Sequence, residues 1–383
     1  RSTLRRSSAA SDVYKRQNLL SSVKSRKIFL GGLFMRDNTL IKYLKLAERI
    51  DASDIHIKSG KCAIARVSGT LKQIDDAILT KEQVFSFIQD ILTEKQMTEF
   101  DLYSDVDSSF SVGDRRFRCN VYRDFNGFSI SIRRIINEIG DFRSLGIPEV
   151  LKNLAVKKSG LILVTGPTGS GKTTTLASII NYLNRVITAH IITIEDPIEY
   201  TYTSNRCVIT QREIGRDASD YPRALRASLR QDPDVIMLGE MRDLESIRTA
   251  LTAAETGHLV LSTLHTTGAC NSIDRIIDVF PADQQQQIRV QLSMVLLGVV
   301  SQQLVPNVKG GRSLATEVMI CNGAIKNIIR EGKNYQLQNT MMTSRNAGMY
   351  SMEQCLEAMY RQGIISAENY QLYTPASAAT NVR

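Results

Sequence analysis

The chain has 383 residues, 43% hydrophobic and 23% charged, enough for two or three domains with cores of their own, and two are expected. No apolar run approaches the ~18 residues of a bilayer span, and neither a secretory h-region nor a lipidation motif is present. The net charge of +9 does not describe a nucleic-acid-binding surface: residues 1–34 carry eight Lys/Arg against one Asp, so only +2 falls on the other 349, and no direct nucleic-acid contact is expected.

Residues 1–34 are read as a disordered or non-native leader, because Arg1 to Gln17 is Ser/Arg-rich without helical or strand period and Met35 is a candidate start. A basic tail or targeting leader is the alternative. Residues 35–136 read as an α+β domain. Leu40 to Ile50 has helical spacing, Ile55–Ile57 and Ala63–Val67 read as strands, and Glu82 to Phe100 as helical. Asp107–Phe110, Arg116–Tyr122 and Phe128–Ile135 are further strands, with turns at Gly113 and at Asn126-Gly127. Residues 137–148, holding Gly140, Gly146 and Pro148, form the expected linker.

From 149 to 373 apolar runs alternate with helical segments. Leu161–Val164, His190–Ile194, Val235–Leu238 and Leu259–Leu261 give the βαβ pattern of a parallel sheet covered by helices on both faces. From about Pro281 the pattern is mostly helical, ending in Met352–Arg361 and Ser366–Tyr373 before a tail at 374–383. Six cysteines (Cys62, Cys119, Cys207, Cys270, Cys321, Cys355) form no C-x-x-C pair and read as reduced core residues.

The chemistry concentrates after the first of these strands. Gly166, Pro167, Thr168, Gly169, Ser170, Gly171, Lys172 and Thr173, followed by Thr174, make a G-x-x-x-x-G-K-T loop between a strand and a helix. Such glycines let backbone N–H groups curl around phosphates. Lys172 reaches the outer phosphates of a nucleoside triphosphate, and the Thr173 hydroxyl can ligate Mg²⁺. A carboxylate at the end of a neighbouring strand is then needed, and Glu240 after Asp234–Gly239 fits. Glu195, Asp196 and Glu199 cap another buried run, and three carboxylates in five residues call for a cation or arginines, hence metal or water positioning. His258 and His265 bracket the last apolar run and are read as bordering one sheet edge, as phosphate sensors. Arg226 and Arg230, four apart, are expected on one helix face, and Arg118 and Arg133 on separate strands of the first domain; nothing in the sequence alone singles out any of the four.

Six ordered motifs carry a family resemblance: the phosphate loop, Ile194–Glu199, Gln211–Gly215, Ala224–Asp234, Gly239–Asp243 and Thr256–Thr266. Over about residues 36 to 373 the chain resembles the secretion/pilus superfamily of hexameric ATPases, and within it the twitching-motility, or type IV pilus retraction, branch. Ala52–Ile57 near the start, Ala324–Lys333 after the core and the lack of a tetracysteine insertion favour that branch. The resemblance implies a RecA-like P-loop core preceded by a smaller PAS-like α+β domain. It implies ATP and Mg²⁺, with Lys172, Thr173 and Thr174 on the phosphates and Thr173, Asp196 and Glu240 toward the metal. Glu240 is then the Walker B glutamate, Glu195, Asp196 and Glu199 the Asp box, and His258 and His265 the His box. Arg226, Arg230, Arg118 and Arg133 match the charge-neutralising arginines. It further implies a homo-hexamer at the inner face of the cytoplasmic membrane, acting peripherally on an inner-membrane pilus platform protein. Lys326 stands where the family's retraction-linked motif has Arg, keeping the charge without the planar fork. A sibling motor for pilus assembly, secretion or DNA uptake, or a nucleotide-binding subunit without hydrolysis, are the alternatives.

Overall fold

In a computed structural model that describes residues 28–30, 33–35, 38–67, 69–113, 115–135 and 138–374, the chain divides into two units, 1–136 and 137–383. Residues 1–27 of the expected leader and 375–383 of the expected tail lie outside the described residues. The first unit opens with a hairpin, β1 (Ile28–Leu30) and β2 (Leu33–Met35), and helix α1 (Asn38–Arg49). Strands β3 (Ala52–Lys58), β4 (Ile64–Val67) and β5 (Thr70–Gln73) follow, then helices α2 (Lys81–Ile91) and α3 (Glu94–Tyr103), then strands β6 (Asp105–Val112), β7 (Arg115–Asp124) and β8 (Gly127–Arg134).

The six strands form one antiparallel sheet in the order β5-β4-β3-β8-β7-β6. Its two faces differ because side chains alternate along each strand. Ile55 pairs with Ile132, which pairs with Cys119, and this row joins Leu40, Tyr43, Phe87 and Phe100 in one core. One residue along, Asp54 pairs with Arg133, and Arg133 with Arg118, so this row is carried on the other face. The stretch read as helical from Glu82 to Phe100 is two helices. Thr93 accepts from the Gln96 N–H while the Gln96 side chain accepts from the Thr93 N–H, a capping box that starts a new helix where Leu92 is extended.

The second unit begins with two short helices, α4 (Phe142–Leu145), which falls inside the expected linker, and α5 (Val150–Ala155). Strand β9 (Gly160–Thr165) leads into α6 (Lys172–Val186), followed by β10 (His190–Glu195), β11 (Val208–Glu213), α7 (Tyr221–Ser228), β12 (Val235–Leu238), α8 (Leu244–Glu255), β13 (Leu259–Leu264) and α9 (Ala269–Asp278). Then come α10 (Ala282–Val295), β14 (Leu296–Pro306), β15 (Arg312–Ile320), α11 (Gly323–Glu331), α12 (Leu337–Thr343), α13 (Met352–Arg361) and α14 (Ala367–Tyr373). The seven-stranded sheet runs β11-β10-β12-β13-β9-β14-β15, parallel throughout except for the antiparallel β14–β15 pair.

Every residue of β9, β12 and β13 is buried, as expected for strands covered on both faces. Leu161, Leu163, Val260 and Leu238 face one core with Leu225, Ile247 and Ile273; Ile162, Val164, Leu261 and Met237 face another with Leu176, Ile179 and Leu183. Fully burying each large aliphatic side chain is worth about 1.5–3 kcal/mol, and this repeated burial fixes the register from which the loops at one sheet edge emerge. The segment from Pro281 contains five α-helices among the described residues, but also β14 and β15, which the helical reading did not anticipate. The reason is local: α10 passes into β14 at Leu296 with no Gly or Pro between them. The six cysteines are free, three of them buried.

Candidate nucleotide site

The parallel strands all deliver their C-terminal ends to one edge of the sheet, where α/β folds place ligands. At the end of β9 the loop turns at Gly166, whose φ of 144° and close approach admit no side chain: a Cβ there would lie 2.2 Å from the Gln302 carbonyl oxygen. Gly171, at φ 88°, precedes α6 without any capping side chain. The first-turn N–H groups of α6 are therefore left to an anion, and the helix dipole favours negative charge there. The buried Ser170 hydroxyl has no hydrogen-bond partner among the described residues, a second orphan in the same cradle.

Lys172 curls back over this loop. Its Nζ donates to the carbonyl oxygens of Gly166 (2.9 Å) and Pro167 (3.0 Å). Burial pushes its pKa below the ordinary lysine value, against the opposing pull of Glu240 and Glu199. An ammonium short of solvent and near two carboxylates is poised for phosphate oxygens. Thr174 Oγ1 lies 2.9 Å from the Tyr200 hydroxyl, which joins the start of α6 to the loop after β10.

Glu240 leaves β12 after Gly239, at the same edge, with 14% of its side chain exposed. One carboxylate oxygen accepts from Arg242 Nε at 2.6 Å, and the other is 3.3 Å from His265 Nε2. The hydrogen bond to Glu240 lifts the Arg242 pKa above its ordinary value. Arg242 was given no role from sequence; its separation from Glu240 by one residue was the available signal.

Glu195, at the end of β10, is 4% exposed. It accepts from Thr193 Oγ1 (2.7 Å), from Gln211 Nε2 (3.4 Å) and from the Glu199 N–H (3.4 Å), yet burial outweighs these bonds and raises its carboxyl pKa from 4.5 to about 7. Asp196 and Glu199 are exposed. The expected crowding of three carboxylates is thus relieved by solvent at two of them and by proton affinity at the third. Gln211 comes from β11, an edge strand that its mostly polar residues concealed.

The two histidines do not border one edge. The six residues of β13 separate them, ~20 Å of extended chain. His265 is beside Glu240, whereas His258 is at the N-terminal edge with its Nδ1 3.0 Å from the Ala253 carbonyl oxygen. Nor do Arg226 and Arg230 share a helix face, because α7 ends at Ser228. Arg226 ion-pairs with Glu245, and exposed Arg230 is on the turn whose next residues, Gln231 and Asp232, present carbonyls to His190 Nδ1 at the N-terminal edge of β10. Arg118 and Arg133 are direct cross-strand neighbours in the first unit, facing Asp107 (3.8 Å) and Asp54 (2.8 Å).

Among the described residues no group of three or more His, Cys, Asp or Glu could hold a metal alone, and no helix is long and apolar enough to cross a membrane. Oxygen donors at this edge include the Thr173 hydroxyl in the loop, Glu240 and Glu199 within electrostatic reach of Lys172, and Asp196 just after β10, the strand beside β12. This set suits a Mg²⁺ ion that takes most of its ligands from phosphates and water.

Comparison with known proteins covers most of the chain. A 44% identity over 331 residues, covering 86% of this chain and 96% of the relative, relates it to the type IV pilus retractation ATPase PilT of Pseudomonas aeruginosa. The twitching motility protein of Neisseria gonorrhoeae is 42% identical over 324 residues, 82% of this chain and 87% of that one. A crystal structure of the pilus retraction motor PilT with bound ADP superposes with a TM-score of 0.82 at 44% identity, covering 88% of this chain and 97% of that chain. The family model described as type II/IV secretion system protein matches residues 37–372. A phosphate loop, a strand-end glutamate and a RecA-like parallel sheet in that setting make this chain a member of the type II/IV secretion system protein family.

Proposed function

We propose that the chain is a motor ATPase that hydrolyses ATP to retract type IV pili, working as a homo-hexamer at the inner face of the cytoplasmic membrane on a platform protein. The observation that carries the reading is Glu240, held by Arg242 and His265 within the electrostatic reach of Lys172 on the phosphate loop. A catalytic carboxylate needs this: a fixed direction, partial shelter from solvent and a nearby cation for the phosphates.

In this reading the Gly166–Thr174 loop and Lys172 bind and orient the phosphates, and Glu240 orients the attacking water and takes its proton. His265 holds the Glu240 carboxylate and faces the outer phosphate. Glu195, half protonated near neutral pH, holds or releases a proton at the same edge, with Glu199 beside it. Thr173, Asp196 and Glu240 would hold Mg²⁺, which when bound supplies positive charge to the phosphate oxygens. Arg226, Arg230, Arg118 and Arg133 act in the assembled ring, neutralising charge at the nucleotide. His258 is left to structural support.

A deletion strain complemented with the parent gene or with Glu240→Gln tests the function. Excess surface pili without twitching, rescued only by the parent gene, are expected. Bald cells would instead assign the chain to assembly or secretion.

A further inference from the structure

Three consecutive residues of β14 reach three parts of the second unit. Ser301 Oγ accepts from the Gly268 N–H (2.9 Å), just before α9 and three residues after His265. The Gln302 side chain, 1% exposed, accepts from Thr175 Oγ1 (3.0 Å) in the first turn of α6 and donates to the Ser170 carbonyl oxygen (2.8 Å) in the phosphate loop. Gln303 Nε2 donates to the Tyr373 carbonyl oxygen (3.4 Å) at the end of α14.

Across the β14–β15 ladder Glu317 stands opposite Ser301. One of its oxygens accepts from the Ala269 N–H (2.7 Å), the first residue of α9, and the other from the Met352 N–H (3.3 Å), the first residue of α13. Gly268 has no side chain to cap α9, so Glu317 supplies the acceptor from another strand.

A buried carboxamide with both ends satisfied holds its partners in one arrangement, because leaving either end unpaired in the interior is costly. Gln302 therefore fixes the phosphate-loop carbonyl and the start of α6 together. The ladder hydrogen bonds make Gln302, Ser301 and Glu317 parts of one rigid element. We propose that Gln302 is the positioning residue of the phosphate loop, and that Glu317 ties that element to α13 so that nucleotide binding is felt at the C-terminal helices. This rests on the reading of the loop as a nucleotide site and adds the route by which its occupancy leaves it.

The test uses the full chain with ADP as probe. Gln302→Met, close in volume but unable to make either bond, and Thr175→Val, which deletes only the hydroxyl Gln302 holds, should each weaken ADP binding by about three- to ten-fold or more. Glu317→Gln should keep ADP affinity within about two-fold while losing the ADP-dependent change in hydrogen exchange of amides 351–361 seen in the parent. Parent-like ADP affinity in both loop variants would overturn the positioning role. A parent with no exchange change at 351–361, or a change that survives Glu317→Gln, would overturn the coupling. All these effects together with a parent that hydrolyses no ATP would uphold the Gln302 and Glu317 roles and remove only the ATPase reading.

Discussion

Replacing Glu195 by Gln removes a carboxyl that is 4% exposed and held at a pKa of about 7 instead of 4.5. Because the folded value is the higher one, the native state binds this proton more tightly than the unfolded chain between those two values. The parent therefore loses stability as pH rises through that window, and the loss is complete once pH exceeds the folded value. About 2.5 pH units at ~1.4 kcal/mol each amounts to about 3 kcal/mol. The carboxamide of the variant has no such proton to lose. It also turns an N–H donor toward the Glu199 N–H, a cost of ~1 kcal/mol that does not vary with pH. Urea unfolding of nucleotide-free parent and Glu195→Gln, from pH 4.5 to 8.5, isolates the term: other titrating groups cancel in the difference. The variant should gain on the parent by about 3 kcal/mol across the range. A difference constant to within about 0.5 kcal/mol would refute the argument that burial dominates at Glu195.

Gly166→Ala should abolish ADP binding in a titration and cost about 2–5 kcal/mol in stability, since its Cβ would meet the Gln302 carbonyl oxygen at 2.2 Å and an L-residue is strained at φ 144°; parent-like affinity would contradict this. His265→Gln should lower ATP turnover about ten-fold more than His258→Gln, because only His265 contacts Glu240; equal losses would restore the paired assignment. Arg133→Ala breaks an ion pair whose arginine is 69% exposed, so stability should change by less than about 1 kcal/mol. Turnover by the assembled ring should fall all the same, while ADP affinity of the isolated subunit holds.

What the sequence made legible followed from burial pattern. Val235–Leu238 and Met352–Arg361 read with the observed bounds because the first is a four-residue apolar run alternating with helical segments and the second keeps a helical period. Glu240 was found from the run before it, since a buried parallel strand ends where the crevice begins. The edge strand β11 stayed hidden because an edge needs no apolar face, and β14 because its apolar run continues a helix. Gln302, Gln211 and Arg242 were missed for a different reason: an amide or a surface arginine looks like any other until the fold supplies its partner. His258 and His265 looked alike because spacing along the chain does not say which sheet edge each residue reaches. Arg226 and Arg230 required knowing that α7 ends at Ser228.

The functional reading stands or falls on ATP hydrolysis with Glu240 as the water-positioning carboxylate. Steady-state phosphate release from MgATP by the parent and by Glu240→Gln, with ADP affinity measured in parallel, decides it. A turning-over parent is expected, with a variant slower by about 10²–10⁴-fold that retains ADP affinity. Turnover by Glu240→Gln near the parent rate would contradict the assignment.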